Sequence, residues 1–159
     1  MLEIVCIVYA WSMNNVLIPT DFSSQSRYTL EYVLGFLQHT TVPSRILLVN
    51  TYIVQLNADP FQLVTINDQL KRESKILLEN EVLWARSLCL NSLVKIESAS
   101  HMGTLNNVII NLLRRETIDL VAMGKGTGNH VEQVATLLKL HNCPLLITYK
   151  PDSHEAVEA

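Results

Sequence analysis

Cysteine is scarce and scattered in this chain of 159 residues: Cys6, Cys89 and Cys143 are odd in number, widely spaced, and form no CxxC or Cys/His ligand pattern. They read as reduced thiols of a cytoplasmic protein rather than a disulfide framework. The five histidines are equally dispersed, so no metal site is expected. Charge is sparse at 17%, and 15 acidic against 12 basic residues leave a net charge of −3. That balance offers no general attraction to nucleic acid or anionic lipid. The closest basic pairs, Lys71-Arg72 and Arg114-Arg115, fall on predicted helices and read as solvated faces. No apolar run reaches membrane-spanning length. Met1 to Trp11 is apolar but contains Glu3 and lacks a basic leader, which makes it a poor signal peptide.

Glycine is also rare, and three of the five glycines crowd into one stretch, Gly124-Lys125-Gly126-Thr127-Gly128-Asn129. Before it stands the apolar run Leu120-Val121-Ala122-Met123, the length of a buried parallel strand. Glycines permit positive φ and close approach of a ligand to backbone N–H groups. The stretch therefore reads either as an anion-binding turn or as a tight strand-to-helix connection.

With 48% apolar residues the chain suits one domain with a single substantial core, residues 13–150. Residues 1–12 read as an extension or a misplaced start, since Met13 directly precedes a natural first strand. Residues 151–159 read as a polar tail. Val16 to Thr20 is the expected first strand, and Ser23 or Ser24 caps a helix whose Leu30, Val33, Leu34 and Leu37 form one apolar stripe. Arg45 to Asn50 supplies the second strand. Thr51 to Ile66 reads as a long connection with a turn at Asn57-Ala58-Asp59-Pro60. A helix from about Asn67 to Leu90 is expected to bury Leu70, Leu77, Leu78, Trp84, Ala85 and Leu88.

Leu93 to Ala99 alternates like an edge strand, and Thr104 caps a helix with Leu105, Val108, Ile109 and Leu112 inward. After the glycine stretch, Asn129 and Glu132 have capping-box spacing, and a last helix begins near His130. Cys143-Pro144-Leu145-Leu146-Ile147-Thr148-Tyr149 closes the sheet. Five strands alternating with four helices make a doubly wound α/β domain, a five-stranded parallel sheet with helices on both faces. Ligands bind such sheets beyond the carboxyl ends of the strands where strand order reverses.

Val16-Leu17-Ile18-Pro19-Thr20-Asp21-Phe22-Ser23, Leu30-Glu31-Tyr32-Val33, Ile118 to Gly124 and Cys143-Pro144-Leu145-Leu146-Ile147, taken in that order, resemble the universal stress protein family. The resemblance covers about residues 14–149. It implies the strand order 3-2-1-4-5 of the adenine nucleotide alpha hydrolase-like fold, and a homodimer formed through the last strand, Pro144, Leu145, Leu146, Ile147, Thr148 and Tyr149. In the branch of that family that binds ATP, an Asp after the first strand and a loop of Gly, two residues, Gly, nine residues, Gly, then Ser or Thr surround the nucleotide. Carried onto this chain, the resemblance implies a nucleotide site at Pro19, Thr20, Asp21, Val49, Gly124, Lys125, Gly126, Thr127, Gly128 and Asn129.

Beyond Gly124 the chain departs from that pattern. Gly126 and Gly128 are out of phase, and Val131-Glu132 stand where the final Gly-Ser belongs. The Asn129/Glu132 cap would occupy helix N–H donors that otherwise attract phosphate, and Glu132 adds a negative charge there. The leading expectation is a non-catalytic, cytoplasmic, homodimeric stress-response binding or signalling module with a degenerate nucleotide site. It has no catalytic residues, no metal, no nucleic-acid or membrane partner, and an unidentified protein partner. The alternative is an ATP- or AMP-binding universal stress protein with weak or no ATPase activity.

Overall fold

A computed structural model of the chain describes residues 13–54, 59–126 and 130–151. The strands are β1 (Asn15–Pro19), β2 (Ser44–Tyr52), β3 (Val94–Met102), β4 (Leu120–Gly124) and β5 (Leu145–Thr148), and they alternate with helices α1 (Ser24–Leu37), α2 (Pro60–Leu88), α3 (Leu105–Arg115) and α4 (His130–Leu140). All strand pairings are parallel and the order is β3-β2-β1-β4-β5, as expected. Strand side chains alternate between two cores. Val16, Ile18, Ile46, Leu48 and Ala122 pack with α1 and α2, while Leu17, Leu47, Val49, Val121 and Met123 pack with α3 and α4. Continuous apolar runs in β1, β2 and β4 follow from this burial on both faces.

Local chemistry sets the helix starts. Ser23 accepts a hydrogen bond from Ser26 N–H, and Thr104 accepts one from Asn107 N–H, so both serve as N-caps. The base of β1 is fixed by Asp119, whose Oδ2 accepts from the Asn14 N–H at 3.2 Å, the Asn15 N–H at 2.9 Å and the Asn15 side-chain amide at 2.9 Å.

Two expectations need correction. The stretch from Thr51 to Ile66 is not a long loose connection: β2 runs through Tyr52 and α2 begins at Pro60. Asp59 caps that helix through the Phe61 N–H and Pro60 sits in its first turn, where the missing proline donor does no harm. The buried side of α2 also differs. Leu77 and Leu88 are exposed, whereas Ser74 and Glu81 are buried beside Leu78, Val82 and Ala85. Glu81 pairs with Arg27, whose guanidinium lies 4.5 Å from the centre of the Trp84 ring, and this clasp joins α1 to α2.

Gly124 is where α1 meets the end of β4. A Cβ there would lie 3.0 Å from the Gln25 carbonyl oxygen and 3.1 Å from Thr29 Oγ1, whereas one on Gly126 would meet none of the described residues within 4 Å. Gly124→Ala should therefore destabilise the protein by about 1–3 kcal/mol, through displacement of the helix backbone. Gly126→Ala should change stability by less than about 0.5 kcal/mol. Chemical denaturation of both variants checks this, and equal stabilities would contradict it.

Candidate functional site

The strand order reverses between β1 and β4. These strands pair at Val16–Leu120 and Leu17–Val121, then both continue upward, β1 to Pro19 and β4 to Gly124. Above the last pair lies a cavity of about 680 Å³, bordered by the carboxyl ends of β1, β2 and β4 and by the first turns of α1, α3 and α4. This is the place where doubly wound sheets hold ligands, and the volume suits a small organic molecule.

Six of the expected site residues line this cavity: Pro19, Thr20, Asp21, Val49, Gly124 and Gly126. Lys125 is not among its walls; it is exposed, and its backbone N–H donates to the Thr148 carbonyl at 2.8 Å. Thr127, Gly128 and Asn129, with the proposed Asn129 cap, lie outside the described residues. α4 does begin at His130, with Glu132 in its first turn.

The floor of the cavity is held by a polar chain that sequence reasoning missed. Ser100 donates to Ser74 at 2.7 Å, Ser74 donates to Asn50 Oδ1 at 2.7 Å, and the Asn50 amide donates to the Thr20 carbonyl at 2.8 Å. The Thr20 N–H in turn donates to the Val49 carbonyl at 2.8 Å. Each side-chain group in this chain has a partner, so the tips of β1, β2 and β3 are tied to α2. Only the helical burial of Ser74, opposite two polar strand residues, could have signalled it.

Asp21 stands at the rim. Its Oδ1 accepts from the Ser23 N–H at 2.9 Å and from the Ser26 hydroxyl at 2.6 Å. Partial burial would raise its pKa, but these hydrogen bonds prevail and hold it below the ordinary 3.8. Beside it Phe22 adopts φ of 63°, a conformation that bulky residues rarely take, with its N–H on Thr20 Oγ1 at 3.0 Å. Asn106, His130, Val131 and Gln133 complete the opposite wall. On the sequence, only His130 and Val131 had drawn notice.

Cys143 precedes the amino end of β5, near Asp119 at the end of the sheet opposite the crevice. Burial, reinforced by the negative charge of Asp119, pushes its thiol up to about 11, which leaves it protonated and a poor nucleophile at neutral pH. Among the described residues no three His, Cys, Asp or Glu side chains converge as metal ligands, and no helix is long and apolar enough to cross a membrane.

A parallel sheet that reverses its strand order between β1 and β4 defines a doubly wound α/β architecture. The family model for the universal stress protein family matches residues 13–148, and the chain belongs to that family. Its fold is similar to that of hypothetical protein MJ0577, with a TM-score of 0.69 at 19% identity over 89% of this chain and 99% of the other. It is similar to a universal stress protein family protein from Arabidopsis thaliana solved with AMP bound, with a TM-score of 0.60 at 17% identity over 91% and 97% of the two chains. A universal stress protein in complex with cAMP is also similar, with a TM-score of 0.58 at 14% identity over 87% and 98%. No curated protein matches the chain.

Because the folded-state pKa of Asp21 is depressed, its hydrogen bonds stabilise the fold above the ordinary carboxylate value and lose that effect as the pH falls through the folded value. Asp21→Asn should lower the melting temperature at pH 7, with the difference shrinking once the pH drops below 3.8. Melting curves between pH 7 and about pH 2 check this, and a difference independent of pH would contradict it.

Proposed function

We propose that this universal stress protein is a non-catalytic module that binds an adenine nucleotide in the crevice between β1 and β4 and works as a cytoplasmic homodimer. The observation that carries the proposal is the cavity of about 680 Å³ at the strand reversal, with Thr20-Asp21 in the middle, Val49 on one side and Gly124 on the other. The AMP and cAMP bound to two proteins of similar fold support the class of ligand. Asp21 is suited to accept from ribose hydroxyls or an adenine amino group, and Val49, Met123 and Val131 offer apolar surface to a base.

Binding without turnover is favoured by the way the hydroxyls are used. Ser23 caps α1, and Ser26 donates to Asp21, a carboxylate whose lowered pKa makes it a weak base for activating a hydroxyl. The self-association surface we assign is the edge formed by Pro144, Leu145, Leu146, Ile147, Thr148 and Tyr149. Ile147, on the strand at the end of the sheet, and Tyr149, just past it, are about half exposed, at 48% and 53%.

Calorimetric titration with AMP and with cAMP tests the binding, and saturable binding of at least one is expected. Gly126→Trp fills the mouth from a position that none of the described residues crowds, and should weaken that binding at least about tenfold, or about 1.4 kcal/mol, without lowering the melting temperature. Binding of neither nucleotide, or full affinity in the tryptophan variant, would refute this site. Light scattering on the same sample should give twice the 18.0 kDa chain mass.

A further inference from the structure

We infer that the crevice selects an adenine ligand carrying no charge or one negative charge, a nucleoside or a cyclic nucleotide, and discriminates against the triphosphate. The inference rests on the nucleotide reading above and adds to it the charge class of the ligand.

No lysine or arginine is among the described residues that line the cavity, and Asp21 is the acidic one. Hydrogen bonding keeps that carboxylate ionised at neutral pH. A triphosphate needs several charge-assisted contacts to replace its water, typically from Arg, Lys or a metal. The helix that could help is α4, but Glu132 in its first turn sets a full negative charge against the positive end of the helix dipole. Lys125, the cation nearest in sequence, stands outside the walls and has committed its backbone N–H to Thr148.

The groups that remain suit a neutral ligand. Asn106, Gln133 and Thr51 supply uncharged donors and acceptors, beside the apolar surfaces of Ile53 and Met123. Asp21 Oδ1 holds its two local hydrogen bonds, while Oδ2 accepts none from the described residues. An ionised oxygen of this kind attracts hydroxyl and amino donors and repels phosphate oxygens. Because the rim is exposed, that repulsion is screened by salt.

Titrations with adenosine, cAMP and ATP, the last with and without magnesium, test the inference at low and high salt. Adenosine and cAMP should bind at least about tenfold more tightly than ATP at low ionic strength, and the gap should narrow as salt rises. The double variant Asp21→Asn/Glu132→Gln should bring the ratio to within about threefold. Glu132→Gln alone, an exposed change that leaves Asp21 in place, should move the ratio part of the way. ATP binding as tight as adenosine in the unmodified protein would overturn the selectivity and leave the nucleotide reading standing. Loss of binding for all three would overturn both. A ratio unmoved by salt and by both variants would overturn the electrostatic cause.

Discussion

The approach of α1 to the end of β4 is the constraint on which the upper half of the molecule depends. Thr29 is fully buried, hydrogen-bonded to Thr148 Oγ1 at 2.7 Å, with Gly124 directly against its hydroxyl. Any side chain at position 124 would push the helix from the sheet. With the helix seated, its capped N-terminus places Ser23, Ser26 and Asp21 at the rim of the crevice. The Lys125 N–H on the Thr148 carbonyl carries the β4–β5 pairing one residue past Gly124. The glycine that looks like a ligand device in the sequence is thus a packing device first, and the crevice is its consequence.

A second tie acts at the other side. The chain from Ser100 through Ser74 and Asn50 to Thr20 crosses β3, α2, β2 and β1 just below the cavity. Leaving a buried polar group unpaired costs about 1–3 kcal/mol, so such a chain holds its members in one arrangement. Asn50 therefore serves the floor rather than a ligand, since both ends of its amide are committed. Ligand recognition falls to groups with spare capacity, Asp21 above all.

The alternation of strands and helices was legible because it rests on local periodicity, and parallel pairing buried on both faces leaves apolar runs that any reader of the chain can find. The start of α2 was not, because Asp59-Pro60 belongs equally to a turn and to a capped helix, and local sequence does not separate the two. Nor could the chain announce that Ser74 and Glu81 would be inside while Leu77 and Leu88 stayed out. Their partners, Asn50 and Arg27, are more than twenty residues away. At the site, the resemblance led to Thr20, Asp21, Val49 and Gly124, which the fold gathers around one cavity. It did not lead to Asn106 or Gln133, whose residue types carry no signal until α3 and α4 bring them to the rim.

The central claim is that the reversal between β1 and β4 is where this protein takes its ligand. Amide chemical-shift mapping during an adenosine titration tests it most directly. The account predicts that the largest shifts fall at Thr20, Asp21, Asn50, Gly124 and His130, with β3's outer edge and the Cys143 region still. Shifts concentrated at those distant places, with the residues of the crevice unmoved, would contradict it.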